Sequence, residues 1–244
     1  MSAVVTKRLL WTVVLLAGVA CLLASDESPT PVPDIEIHGP NVRPGCPDAF
    51  ALGYKLAEGS VSPDGKYGVI YCNDPDIVTE GAHNFLVALK PFRILAVVDE
   101  FSYRDRTELK TEWTKDSSAA LVEVAGKWGP IGFTLFELRD GRVTRQTNLY
   151  AQIQRLLKPD FRKAKVTPYN DYFHFILDAQ AVNQERGTRI DADGQRIHVD
   201  VRATSNPKPM DPPIKTWGGE LEAVWSIPEA RWLTQKVTSS TYRQ

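Results

Sequence analysis

Val61-Ser62-Pro63-Asp64-Gly65-Lys66-Tyr67-Gly68-Val69-Ile70-Tyr71 places a polar Ser-Pro-Asp-Gly turn ahead of a short apolar run. The same sequence of types returns as Trp113-Thr114-Lys115-Asp116-Ser117-Ser118-Ala119-Ala120-Leu121-Val122-Glu123, with Ser62 and Thr114 separated by 52 positions. Each copy reads as a strand end, a turn and a second strand. One such unit cannot bury its apolar face alone, so a repeat of this length points to stacked β units.

Working outward, short apolar runs at Tyr67 to Tyr71, Asn84 to Leu89 and Arg93 to Asp99 complete a four-strand meander with the strand ending at Ser62. In the second unit, strands carrying Leu121, Glu123 and Phe133, Leu135 flank a turn at Lys127-Trp128-Gly129-Pro130. Asp140-Gly141, between Leu138 and Val143, is a strong two-residue hairpin signal. The period then changes. Leu149, Ile153, Leu156 and Leu157 fall at helical spacing, Thr147 or Asn148 can cap the start, and Pro159 interrupts or ends the helix after about three turns. Strands resume at Tyr172 to Leu177 and in a hairpin around Asp193-Gly194, where Ile197, Val199 and Val201 alternate with Arg196, His198, Asp200 and Arg202. After a loop with four prolines between Asn206 and Pro213, Leu221 to Ile227 pairs with Arg231 to Thr238. Val224-Trp225-Ser226 and the turn after it echo the opening motif imperfectly. The expected fold is mainly β with one amphipathic helix, its antiparallel meanders forming an incomplete propeller-like or curved-sheet domain.

Ser62-Pro63-Asp64-Gly65-Lys66-Tyr67 resembles the Trp-Ser-Pro-Asp-Gly-Lys signature of TolB-like exported β-propellers, in which each copy opens a four-strand blade. The second copy keeps Trp113, Thr114 and Asp116 but has Lys115 and Ser117 in place of Pro and Gly. The arrangement is also similar to uncharacterised exported bacterial proteins that combine such units with a helix and a strand-rich tail. A closed propeller takes four blades or more, whereas two firm units and a third degenerate one are visible here. The resemblance implies an architecture and no particular activity.

The amino terminus has the form of a secretory signal: Lys7 and Arg8, then a sixteen-residue apolar stretch from Leu9 to Ala24. That stretch is shorter than the roughly 18 to 20 residues that span a bilayer. The organisation expected is a signal peptide at 1–24, a proline-rich tether at 25–44 and a single β-rich domain at 45–244, exported to the periplasm or outside the cell. A retained leader, or lipidation of Cys21 after Gly18-Val19-Ala20, would give the membrane contact. The formal net charge of −1 excludes a nucleic-acid-binding role of the usual basic kind. Cys46 and Cys72 are the disulfide candidates; a bridge would close about 26 residues and contribute about 3 kcal/mol, and two free thiols are the alternative.

The chain has no Gly-x-Ser-x-Gly elbow, no Cys-x-x-Cys and no glycine-rich phosphate loop. No metal or cofactor is expected. Asn73-Asp74-Pro75-Asp76 crowds acidic groups without a strand rationale, and Trp128 and Trp217 stand beside glycines in expected loops, where indoles can line a peptide or carbohydrate groove. Asp74, Asp76, His83, Trp128 and Trp217 are therefore the candidate binding residues; catalytic residues are not identifiable. The expectation is a non-catalytic binding or scaffold module for a protein, peptide or carbohydrate ligand. The alternative is a hydrolase whose acidic or Ser/His groups assemble only in the fold.

Overall fold

The computed structural model describes residues 54–72, 84–99, 108–126, 129–166, 176–177, 187–206 and 211–243. Three antiparallel meanders account for almost all of them. Sheet 1 contains β1 (Tyr54–Leu56), β2 (Tyr67–Cys72), β3 (Asn84–Leu89) and β4 (Phe92–Asp99), in that spatial order. Sheet 2 contains β5 (Glu108–Trp113), β6 (Ala119–Gly126), β7 (Gly129–Arg139) and β8 (Arg142–Asn148). The helix α1 (Leu149–Ala164) and the short β9 (Ile176–Leu177) precede sheet 3, formed by β10 (Gly187–Ile190), β11 (Arg196–Thr204), β12 (Lys215–Ser226) and β13 (Arg231–Arg243), with β9 joining β11. The mainly β, meander-built architecture is thus the one the residues led us to expect; none of the sheets closes into a barrel.

One turn recurs at the start of every sheet, spanning residues 62–67, 114–119 and 191–196. Its first N–H donates to the sixth carbonyl at 3.0, 2.9 and 2.9 Å, and its fourth N–H to the first carbonyl at 2.9, 2.9 and 2.8 Å. An aspartate in third place, Asp64, Asp116 or Asp193, accepts the fifth residue's N–H at 3.1, 3.1 and 2.9 Å. The fourth residue has positive φ: Gly65 at 70°, Ser117 at 63° and Gly194 at 71°. Finally, the fifth carbonyl accepts an N–H from the far end of the third strand, Leu89 to Lys66, Leu138 to Ser118 and Ile227 to Gln195, at 2.8, 2.7 and 2.9 Å. Local turn chemistry therefore also fixes where the third strand ends.

The third copy is not where the sequence echo at Val224-Trp225-Ser226 suggested. That segment leads into the hairpin between β12 and β13, the counterpart of the hairpins at Lys90-Pro91 and Asp140-Gly141. The genuine third turn begins at Asp191, which has a carboxylate where Ser62 and Thr114 have hydroxyls and sets it against His198 Nε2.

Burial follows the stacking of sheets. Val69, Leu86, Ala88 and Val98 of sheet 1 meet Ala120, Val122, Val124 and Phe136 of sheet 2 in one core. The opposite face of sheet 2, with Leu121, Phe133 and Leu135, joins Ile197, Val199, Val201 and Leu221 of sheet 3 and the helix stripe Leu149, Ile153 and Leu157 in another. Sheet 2 is thus covered on both faces, which is why its β6 reads as a nearly unbroken apolar run. Each fully buried Leu, Ile or Phe contributes about 1.5–3 kcal/mol.

The helix begins as the residues dictate: the Asn148 side chain accepts the Ala151 N–H at 2.8 Å. It does not stop at Pro159. Sixteen residues run through to Ala164 because the last turn has its own anchors, Phe161 against Trp217 and the Ala164 carbonyl taking a hydrogen bond from Lys215 Nζ at 3.0 Å. Tertiary packing here outweighs the loss of one backbone donor.

Candidate functional site

The three turns lie side by side, and the first two help form a cleft. Ser117 Oγ of the second turn accepts the N–H of Asp64 in the first at 3.2 Å. On the other side of the second turn, a Cβ on Gly194 would lie 3.2 Å from Thr114 Cγ2. Trp113, the residue before the second turn, donates its indole N–H to the Ser60 carbonyl at 2.8 Å and stacks on Tyr67 at 6.0 Å between ring centroids. These bonds fix sheets 1 and 2 at a set separation.

The cleft between them measures about 510 Å³. Tyr67, Ala88 and Leu138 give it apolar lining, and four tight turns frame it: 62–67, 114–119, the Lys90-Pro91 hairpin and the Asp140-Gly141 hairpin. Arg93 Nη2 reaches from the third of these to the Gly141 carbonyl of the fourth at 2.6 Å, closing the frame. Both Asp140 and Gly141 have positive φ, 52° and 73°, as a two-residue hairpin of this kind requires.

The charges at this rim are unequally committed. Asp64 Oδ1 accepts from Ser62 Oγ at 2.7 Å, and its Oδ2 pairs with Lys66 Nζ at 3.0 Å. Partial desolvation opposes ionisation of Asp64, but the Ser62 hydroxyl and Lys66 outweigh it and bring its pKa down to about 2. Asp116 is likewise lowered, first by the Ser118 hydroxyl, which donates to it at 2.7 Å. Both carboxylates thus stay ionised while they hold their turns, Asp64 against Lys66 and Asp116 against neutral donors. Lys90 and Arg139 are different: neither has a carboxylate in ion-pair reach among the described residues, and the Arg93 guanidinium is bonded to a neutral carbonyl. Asp140 is the remaining acid at the rim. The cleft consequently sets the cations Lys90, Arg93 and Arg139 beside the carboxylates of Asp64, Asp116 and Asp140, above an apolar strip.

A second concavity of about 420 Å³ lies on the outer face of sheet 3, among Arg189, His198, Asp200, Glu222, Thr234 and Lys236. Two contacts tie its side chains down: His198 Nε2 lies 2.5 Å from Asp191 Oδ1 of the turn before β11, and Lys236 Nζ lies 3.6 Å from Glu222 Oε1 on the neighbouring strand. Cross-strand pairs of this kind characterise a solvated sheet face. Among the described residues no cluster of three or more His, Cys, Asp or Glu side chains is disposed to hold a metal ion.

Of the binding residues expected from sequence, Asp74, Asp76, His83 and Trp128 lie outside the described residues, as does Cys46 of the disulfide pair; Cys72 closes β2. Trp217 is corrected in its placement. It is not in a loop but in β12, 1 % exposed, with Phe161 edge-on at 5.5 Å. Gly219 makes room for its indole, since a Cβ there would lie 2.4 Å from Trp217 Cζ2 and Cη2. The cleft residues Lys90, Arg93 and Arg139 carried no recognisable sequence motif. Their signal was positional, since Lys90 and Arg139 occupy matching hairpin tips after Leu89 and Leu138. No family model, curated protein or solved structure matches this chain.

Proposed function

We propose that the chain is a non-catalytic binding module of the cell envelope or exterior, and that it takes its ligand in the cleft between sheets 1 and 2. The observation that supports this most directly is that Lys90 and Arg139 have no ion-pair partner among the described residues, whereas Lys66 at the same rim is paired with Asp64. The ligand class that fits is a peptide or protein segment bearing carboxylates, with an apolar side chain to rest on Tyr67, Ala88 and Leu138. Rigid turns at the rim favour such binding because little ordering entropy is lost when the ligand arrives. Lys7, Arg8 and the apolar stretch from Leu9 to Ala24 support the exported setting in this reading.

The test is a titration of the full chain with a labelled Asp/Glu-rich peptide library. Binding that weakens at least tenfold in the double variant Lys90→Ala/Arg139→Ala, and that declines steeply with added salt, is the expected result. Equal binding by wild type and double variant would remove the cleft from the proposal. Turnover of any member of a broad hydrolase substrate panel would overturn the non-catalytic reading in favour of the hydrolase.

A further inference from the structure

A sheet edge presents a row of unpaired N–H and C=O groups, and natural sheets keep such rows from pairing by making edge strands short, bulged or charged. Most edges of this molecule follow that rule. β1, β9 and β10 have three, two and four residues. β4 shifts register against β3 at two places and β8 against β7 at one, while β5 sets Lys110 and Glu112 along one of its faces. β13 is built otherwise. Beyond one register shift near its hairpin, Thr234 to Arg243 pairs residue for residue with Val224 to Lys215. That stretch contains no Pro, Gly or acid, and Val237, Thr238, Thr241 and Tyr242 favour extended backbone. Lys236 is the single charge between Thr234 and Tyr242, and Glu222 of β12 lies 3.6 Å from it. Among the described residues no strand lies on the outer edge of β13, and from Thr234 to Arg243 every residue except the half-buried Val237 is exposed.

We propose that β13 is where two copies of this chain pair, edge to edge and antiparallel, about a two-fold axis at Ser239. The two copies of sheet 3 then form one continuous sheet. What selects a second copy as the occupant is the sequence of the edge, because antiparallel self-pairing sets a strand against its own reverse. Val237-Thr238-Ser239-Ser240-Thr241 is nearly its own reverse in shape and chemistry. Centred on Ser239, Val237 meets the similarly shaped Thr241 of the second copy, Thr238 meets Ser240, and both hydroxyl pairs and β-branched pairs are favourable across strands. Further out, Lys236 meets Tyr242, whose ring can carry the lysine stem and ammonium, and Gln235 meets Arg243. No like charges stand opposite one another. Other registers are poorer. A shift that breaks the two-residue period would set Val237, which packs toward the core, against side chains of the opposite face. Centring on Val237 would oppose Arg231 with Arg243, and centring on Thr238 would carry the pairing into the irregular stretch at Leu233. The contact is isologous and uses up β13, and β10 at the other edge is too short to continue it, so assembly closes at two copies.

Sedimentation equilibrium of the full chain tests this, with a concentration-dependent dimer as the expected result. Thr238→Lys/Ser240→Lys sets like charges opposite each other on both sides of the axis and should raise the dimer dissociation constant at least about tenfold. Thr238→Lys/Ser240→Glu sets opposite charges in the same places and should dimerise at least as well as wild type. Both positions are exposed on an edge strand, and an unchanged circular dichroism spectrum shows that the variants are folded. The register has its own test: oxidised Ser239→Cys should yield a peptide linked 239 to 239, whereas Val237→Cys should yield no 237-to-237 link. A monomer at every concentration would leave the edge to a strand of another protein and overturn the proposal. A dimer that Thr238→Lys/Ser240→Lys leaves unchanged would place the contact elsewhere, the leader included, and overturn it equally.

Discussion

Ser117 shows what a single position in the repeated turn must do. Its φ of 63° is one that glycine adopts freely at the same place in the other two turns, at a cost of about 1–2 kcal/mol for a residue with a Cβ. Ser117 offsets that cost through its hydroxyl, which ties the second turn to the Asp64 N–H of the first. Ser117→Ala keeps the strain and loses the bond, and should lower stability by about 1 kcal/mol in urea unfolding. Ser117→Gly loses both and should come out close to neutral. Asp64 makes a pH prediction. Its folded pKa of about 2 lies below the ordinary aspartate value of about 3.9, so its contribution is present above that value and lost as pH falls toward 2. Asp64→Asn should flatten the acid limb of the stability profile over that window, the loss being modest because the group is largely exposed. These positions also explain what the sequence disclosed and what it hid. A hydroxyl first and an aspartate third made two turns legible; Asp191 in first place has no hydroxyl to give, and the third turn looked like an ordinary Asp-Gly hairpin.

Among the elements, the strand β12 and the helix α1 were read least accurately, and for one shared reason. Trp217 and its two glycines resemble a loop in isolation, and Pro159 resembles a helix stop; only their mutual packing through Phe161 shows otherwise. Gly219 is where this packing leaves no slack. Gly219→Ala would force the Trp217 ring out of its place beside Leu157 and should cost about 1–3 kcal/mol in thermal or urea unfolding. Gly218→Ala meets a milder obstacle, the Tyr242 ring at 3.0 Å, and Tyr242 is 43 % exposed and able to move. Its cost should be clearly smaller. By contrast, β2, β3 and β4 lie close to their expected bounds, because short apolar runs between turn residues are decided locally. The Asn148 cap and the Leu149, Ile153, Leu157 stripe were legible for the same reason.

At the scale of the molecule, what the sequence could not show is which side chains cross between sheets. Arg145 of β8 grips Glu137 with two bonds, at 2.5 and 2.7 Å, and donates to the Ile227 carbonyl of sheet 3. It joins residues 82 positions apart, and no local pattern announces it. Arg145→Ala should lower stability by about 1–3 kcal/mol, measured by urea denaturation, and Arg145→Lys should restore only part because it lacks the planar fork. The cleft was hidden in the same way, since Lys90 and Arg139 acquire a shared environment only when two hairpin tips face each other.

The bond from the end of each third strand back to its own turn has a kinetic consequence. It makes every meander a self-contained contact unit, closed within a few tens of residues, while Trp113 to Ser60 and Arg145 to Ile227 span 53 and 82 positions. Closing the shorter loops costs less chain entropy, so each sheet can take shape before the ties between sheets are made. As the chain is synthesised, the first meander is complete when the last has yet to be made. Its apolar surfaces then wait for partners, and the cores between sheets form in the order in which the sheets emerge.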